Sequence, residues 1–334
     1  MSTLATLTVS DAFLILSMGL LVLAFMLAGM PRLIRYLHKL KFGQTEREEG
    51  LASHKKKTGT PTMGGLAFIL APLMIYLALG WLLPGAWNKT AWVLLIAYVG
   101  YGLIGFIDDY LIVVQHSNIG LKPSLKFGAQ AVLAVVLTFV YLNGDAPTIL
   151  LPGHVVWNVP VWLFVLLCFF LFTGASNAVN LSDGVDGLCA GLSIIALVPF
   201  VFAMFWQGQV SGAAILILVI FGLIGYLKFN LHPAKVFMGD TGSLALGGLL
   251  AAAAMMTHLE LLLIVAGIVF IAETLSDIIQ VTYYKKTHKR IFLMAPLHHH
   301  YEKKGWSEMK VCAIFWTWQA VFAGIAMALA WFSI

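Results

Sequence analysis

The sequence predicts an all-α polytopic membrane protein of ten transmembrane helices, with both termini extracytoplasmic and the active site at the cytoplasmic face. Three observations lead there. Of 334 residues, 60% are hydrophobic and only 10% are charged, against roughly 25% charged in an ordinary soluble domain. Apolar stretches of about 20 residues, the length a helix needs to cross a hydrocarbon core of roughly 30 Å, recur through the whole chain. The basic residues fall almost entirely on alternate loops, as the topology of a membrane protein demands.

The first span, 12–30, ends at Pro31 and a basic segment, with no small-residue cleavage site, so it reads as a retained helix and not as a signal peptide. The next spans are expected at 62–83, 91–107, 127–143, 161–176, 187–206 and 212–228, and the last three at 242–257, 260–283 and 311–332. Segments 31–61, 108–126, 228–241 and 284–310, with their helix-end residues, hold 19 of the 20 Lys and Arg and leave Lys89 on the other side. Those segments are therefore cytoplasmic. On the opposite face the one long loop is 144–160, where Pro147, Pro152, Gly153 and Pro160 punctuate a stretch containing Val155, Val156 and Trp157, the pattern of a small hairpin. Cys168, Cys189 and Cys312 lie in or beside apolar runs without pairing or metal-ligand spacing, so they read as packing residues. No fixed-period repeat or low-complexity linker divides the chain, and residues 1–334 are expected to form a single membrane domain. The net charge of +5 lies at membrane edges without a nucleic-acid motif. It implies contact with anionic membrane lipid and no nucleic acid.

Carboxylates are expensive near lipid, and five of them gather on the basic side. Asp108 and Asp109 end the third span, Asp183 and Asp186 lie between spans five and six, and Asp240 opens span eight. Such a cluster needs cations, either Lys and Arg or a divalent metal, and oxygen-only ligands suit Mg²⁺. Neighbouring helical residues project about 100° apart, so Asp108 and Asp109 cannot do the same job. One binds metal or accepts a proton while the other orients a neighbour. The plainer reading of this pair alone is a solvated helix end.

Four further segments carry candidate chemistry. In Asn177-Ala-Val-Asn180-Leu-Ser-Asp183-Gly-Val-Asp186-Gly187, three-residue spacing aligns Asn177 with Asn180 and Asp183 with Asp186. These amides and carboxylates suit a nucleobase, a ribose or metal support, with a polar turn as the bland alternative. Phe237-Met-Gly-Asp240-Thr-Gly-Ser243 offers a helix start to an anion and an aromatic ring to a base, although Asp240 as a simple N-cap and Phe237 as a packed ring are the plainer readings. The lysines ending at Lys57, followed by a Gly- and Thr-rich stretch through Thr62, would draw a diphosphate or a lipid headgroup. His298, His299 and His300 lack a matching set of metal ligands and suit phosphate contact or proton transfer better, with a solvated loop as the alternative. Glu273, Asp277 and Gln280 share one face of span nine, which must meet protein or a wet groove.

Read in order, these segments resemble the phospho-N-acetylmuramoyl-pentapeptide transferase family of the polyprenyl-phosphate N-acetylhexosamine-1-phosphate transferases, from about Gly43 to Gly305. The Gly239-Asp-Thr-Gly-Ser243 block and the paired Asp are common to the wider superfamily, whereas Lys57 through Gly65 and Pro296 through Glu302 are closer to this family. The resemblance implies a ten-span homodimer in the bacterial cytoplasmic membrane that uses Mg²⁺, UDP-N-acetylmuramoyl-pentapeptide and undecaprenyl phosphate. Lipid I and uridine monophosphate (UMP) would be its products. It implies that Asp108, Asp109, Asp240, His298, His299 and His300 are catalytic, with Asp240 the metal ligand. Lys57, Thr62, Asn177, Asn180, Asp183, Asp186, Phe237 and Gln280 would surround the nucleotide and diphosphate, Phe237 stacking on uracil and Asp183 bonding its edge. Three positions depart from the family's pattern. Glu46 and Leu51 stand where an apolar residue and a proline are commoner, and Ile112 replaces a frequent lysine, for which Lys122 or Lys126 could substitute.

Spacing does not choose between direct attack by the lipid phosphate, with Asp108 as base, and a covalent phosphosugar intermediate. Two other functions compete with the transferase: the same chemistry with UDP-N-acetylglucosamine, against which the triple-His segment argues, and a carrier that moves its substrate without chemistry. Carriers usually bind near the midplane between repeated halves, whereas here the polar clusters lie mostly at one edge.

Overall fold

The computed structural model describes residues 8–40, 59–115 and 120–334. Among them, twelve α-helices and one hairpin follow in the order α1 (Val9–Lys39), α2 (Gly65–Leu79), α3 (Lys89–Gln115), α4 (Pro123–Leu142), β1 (Thr148–Leu151), β2 (Val155–Asn158), α5 (Val161–Leu181), α6 (Leu188–Trp206), α7 (Val210–Asn230), α8 (Gly239–Met256), α9 (Leu262–Ala266), α10 (Ile268–Thr287), α11 (Leu297–Lys303) and α12 (Glu308–Trp331). α1 opens with a reciprocal capping box, in which Thr8 Oγ1 accepts from the Asp11 N–H and Asp11 returns the bond to the Thr8 N–H. Eight helices are long and apolar enough to cross a membrane: α1, α2 with its 3₁₀ extension to Leu82, α3, α4, α5, α6, α7 and α12. The outer helices turn large apolar side chains outward, as Phe127, Val132, Val136 and Phe139 do on α4. Such a surface is unstable in water and stable against lipid tails.

The stretches expected as spans eight and nine take a different form. Every residue of α8 except Asp240 is buried, so this helix meets protein on all sides and is built of Gly, Ala, Leu and Met. Its neighbours approach to backbone contact. A Cβ on Gly105 of α3 would collide with the Asp240 carbonyl, and one on Gly247 would collide with Ser176 of α5. The ninth stretch is broken at Gly267 into the five-residue α9 and the longer α10. α10 carries Glu273, Asp277, Lys285 and Lys286, a polar load unlike that of the other long helices.

Two ends of the bundle are defined by what meets there. The C-terminal ends of α3, α5 and α7 come together with the N-terminal ends of α6, α8 and α12, through bonds such as Gly187 N–H to Asn230 Oδ1 at 3.1 Å and Asp186 N–H to Glu308 Oε2 at 3.1 Å. Among the described residues, Lys126, Lys228 and Lys235 lie at this end. At the other end β1 and β2 pair antiparallel, Ile149 opposite Trp157 and Leu150 opposite Val156, the hairpin expected within 144–160. The Leu150 N–H bonds the His258 carbonyl at 2.8 Å, and Lys89 pairs with Asp145 at 2.8 Å, which ties the hairpin region to the helix ends.

Candidate active site

Asp108 and Asp109, adjacent in α3, diverge as the helical twist requires. Asp109 turns into the bundle and caps α8 from outside: its carboxylate accepts the Asp240 N–H at 3.1 Å, the Thr241 N–H at 2.9 Å and the Thr241 hydroxyl at 2.6 Å. The unpaired donors at a helix start are thereby satisfied by a charge favoured by the helix dipole. Gly239 precedes them at φ +70°, and a Cβ there would strike Asp109 and Thr62. The residue is therefore held to glycine both by conformation and by space. Asp109 consequently positions the backbone of Asp240, and its oxygens are occupied in doing so.

Asp108 turns the other way, toward Asp240 and Lys126. Its Oδ1 accepts the Leu121 N–H at 2.9 Å and its Oδ2 lies 3.6 Å from Lys126 Nζ. The Lys126 ammonium also bonds Asp240 Oδ2, so one cation bridges the two carboxylates. On its other oxygen Asp240 accepts from Asn180 Nδ2 at 2.8 Å, and the same amide donates to Ser243 Oγ at 2.9 Å. The bridging ammonium marks a place where positive charge is held between hard oxygen donors, and such a donor set suits Mg²⁺. Asp240 is half-buried and Asp108 buried, which leaves Asp240 the more accessible of the pair.

The turn after α5 links this cluster to two others. Asn180 touches Asp240; Gly184 packs against His298 so closely that a Cβ would overlap its Nε2; and Asp186 bonds the His232 ring and the Ala234 N–H at 3.1 and 3.0 Å. His298 opens α11 and is wholly buried. Both its N–H and its Nδ1 face Glu273 of α10, at 3.2 and 3.1 Å, while Nε2 is buried without a hydrogen-bond partner among the described residues. Glu273 itself is 0% exposed. A carboxylate accepts only, so it fixes the Nδ1 proton and aims Nε2 at the Asp183-Gly184 turn.

The other two histidines do different work. His299 stands against His298, ring centroids 4.1 Å apart, and pairs with Glu302 at 2.8 Å. His300 accepts the Leu293 N–H on Nδ1 at 3.1 Å, which requires the neutral ring. Burial, and then the Lys304 ammonium, hold the His300 imidazole below its usual range. A lowered pKa means that the folded state binds fewer protons than the unfolded one. The stability gained is fully present above the ordinary imidazole pKa and is lost as pH falls through the lowered value. The protection of the Leu293 amide, relative to its intrinsic exchange rate, is expected to fall on that descent, and His300→Gln should abolish that change in protection.

The remaining predicted residues divide. Thr62 is buried beside Gly239 with an unpartnered hydroxyl, and Phe237 is half-exposed, its backbone bonded to Pro61 and Gly64 at 2.8 Å each. Asp183 sits half-buried at the central turn. Asn177 spends its amide on Gln130 and the Thr173 carbonyl, both at 2.8 Å, and is an internal strut. Gln280 accepts the Ile291 and Phe292 N–H groups at 3.1 and 3.0 Å, pinning the segment before α11. Lys57, Glu46 and Leu51 lie outside the described residues.

Glu273 enters the site through His298, a pairing that its helix face alone did not reveal. Lys126, considered only as a substitute for the lysine missing at Ile112, is the cation between the two carboxylates.

The glycosyl transferase family 4 model matches residues 91–258, which hold α3 through α8 and therefore Asp108, Lys126, Asn180 and Asp240. Relatives match over nearly the full length. The chain is 47% identical to the phospho-N-acetylmuramoyl-pentapeptide-transferase of Geobacillus kaustophilus, over 88% of this chain and 90% of that one. It is 48% identical to the protein of that name from Shouchella clausii, over 91% and 94%, and 49% identical to that of Staphylococcus saprophyticus, over 86% and 90%. Identity of this extent over nearly nine-tenths of the chain or more shows that the chain belongs to the phospho-N-acetylmuramoyl-pentapeptide-transferase family.

Proposed function

We propose that the chain transfers phospho-N-acetylmuramoyl-pentapeptide from its UDP conjugate to undecaprenyl phosphate, forming lipid I and UMP in peptidoglycan synthesis. The near-full-length match to enzymes named for this transfer carries the reading. Two anions must meet in the reaction, and Lys126, held between Asp108 and Asp240, places a cation at the cluster where a bound metal would add further positive charge.

In this mechanism an oxygen of the lipid phosphate forms a bond to the sugar-bearing phosphorus while the bond to UMP breaks and its electron pair leaves with the nucleotide. Asp108 takes the proton of the lipid phosphate. Lys126 offsets the charge of the diphosphate, Asn180 holds the Asp240 carboxylate in place, and Asp109 fixes the backbone beneath it. His298, steadied by Glu273 on Nδ1, presents Nε2 as a proton acceptor beside the Asp183-Gly184 turn. Phe237 offers its face to uracil and Asp183 its carboxylate to the base edge, and Lys57, Thr62 and Asp186 are assigned to the nucleotide and diphosphate. Mg²⁺, held by Asp240 with Asp108 facing it, would supply charge neutralisation on the diphosphate. Residues 1–334 act as one domain with ten crossings, α8 and the broken α9–α10 completing the eight apolar helices. The domain sits as a homodimer in the bacterial cytoplasmic (inner) membrane, both termini extracytoplasmic.

The test is UMP release by the purified protein in detergent with either UDP-N-acetylmuramoyl-pentapeptide or UDP-N-acetylglucosamine, undecaprenyl phosphate being present. Release with the first donor alone, lost on chelation and restored by Mg²⁺, is expected. Release with UDP-N-acetylglucosamine alone would reassign the donor. Failure of both donors, with no membrane barrier present, would favour a carrier.

A further inference from the structure

Away from the Asp108–Lys126–Asp240 cluster, metal-ligating atoms converge at one other place among the described residues. Asp186, His232 and Glu308 each offer one such atom, and the three lie within 4.8 Å of one another. They come from separate parts of the fold: the turn after α5, the loop between α7 and α8, and the first turn of α12. The Asp186 and Glu308 side chains are 1% and 7% exposed, whereas that of His232 is 45% exposed, so the group is walled by protein and open on the imidazole side.

The spacing is of the size that a small cation requires. His232 Nδ1 stands 3.1 Å from Asp186 Oδ2 and 3.5 Å from Glu308 Oε1. A tetrahedral ion with bonds of about 2.0–2.1 Å sets neighbouring ligand atoms about 3.3 Å apart, between those two values. Backbone donors hold both carboxylates in this attitude. The Ala234 N–H bonds Asp186 Oδ2 at 3.0 Å, and the Asp186 N–H bonds Glu308 Oε2 at 3.1 Å, which leaves Oε1 directed toward His232. Bonds of this kind orient ligands around a metal.

We propose that Asp186, His232 and Glu308 form a divalent transition-metal site, with Zn²⁺ the best match. One imidazole and two carboxylates are a borderline donor set that suits Zn²⁺, whereas Mg²⁺ prefers oxygen and gives up its water reluctantly. Three protein ligands leave a fourth position for water on the exposed side of His232. The bound ion joins the turn after α5 to α12 and to the loop before α8, and it stabilises the fold by mass action. The proposal rests on this geometry and not on the transfer reaction, and Asp186 would serve both sites.

The test uses the full-length protein, purified without a histidine tag, stripped with chelator and dialysed against Zn²⁺ or Mg²⁺. One tightly held Zn²⁺ per chain is expected, with a raised thermal midpoint that equal Mg²⁺ does not reproduce. His232→Ala should weaken zinc binding at least tenfold while leaving the fold intact, because its side chain is half in solvent. X-ray absorption of the unmutated protein should show one imidazole nitrogen with oxygen neighbours, a readout that needs no variant. Absence of retained zinc, unchanged affinity in His232→Ala, or a multi-imidazole signature would overturn the proposal. So would zinc that is lost on His299→Ala or His300→Ala instead, because the ion would then belong to the triple-His segment.

Discussion

Asp240→Asn is expected to lower UMP release by about 10³-fold or more, the scale on which removal of a key electrostatic group acts in an active site. The carboxylate meets Lys126 on one oxygen and Asn180 on the other, so an amide there keeps the shape, loses the charge and turns an N–H₂ toward one of two donors. The fold should survive. The capping of α8 runs through the Asp240 backbone N–H to Asp109 and does not use the Asp240 side chain. A thermal midpoint close to that of the parent, with activity gone, is therefore the expected pair of results. Activity within tenfold of the parent, with unaltered dependence on Mg²⁺, would remove Asp240 from the chemistry. Asp109→Asn should differ in kind. It touches the helix start through three bonds, so stability and activity should fall together.

The second large effect is expected at Glu273, a carboxylate buried in a long helix and joined to His298 by a backbone and a ring bond. Removing one member of a buried pair strands the other and costs about 3–5 kcal/mol. Glu273→Ala should therefore unseat the start of α11 and lower both stability and turnover, the latter by about 100-fold in the range of general acid–base and positioning effects. Glu273→Gln can still accept through its amide oxygen and should recover most of the stability while leaving turnover impaired. Combining Glu273→Ala with His298→Ala separates coupling from independent roles. If the two losses simply add, the side chains act apart and Glu273 does not position the ring.

Much of the architecture was legible because membrane insertion writes itself into composition. Apolar runs located the eight long helices, while the two further stretches expected as spans took an enclosed and a broken form. The paired Asp were also readable in part, since helical twist alone forces Asp108 and Asp109 apart, and they do divide into one residue facing Lys126 and one capping a helix. Distances across 114 residues are not written in local pattern, so the role of Lys126 beside Asp240 could only be guessed from a neighbouring absence. Asn177 and Asn180 show the same limit: identical side chains on one helix face, yet one is bonded to Gln130 and the other to Asp240, according to which neighbour each meets. The triple-His segment gave chemistry without assignment, because only the fold decides that His298 is buried against Glu273 while His300 holds the Leu293 N–H.

The enclosure of α8 has a consequence for biogenesis. A segment enclosed by other helices meets protein and not lipid, whatever its own apolar content. Lipid contact therefore does not hold it in the folded bundle. Its lodging must come from a sleeve already formed by α3 and α5, whose close glycine contacts leave a slot of matching width. The residues that carry the chemistry would then be assembled last, after the scaffold that receives them.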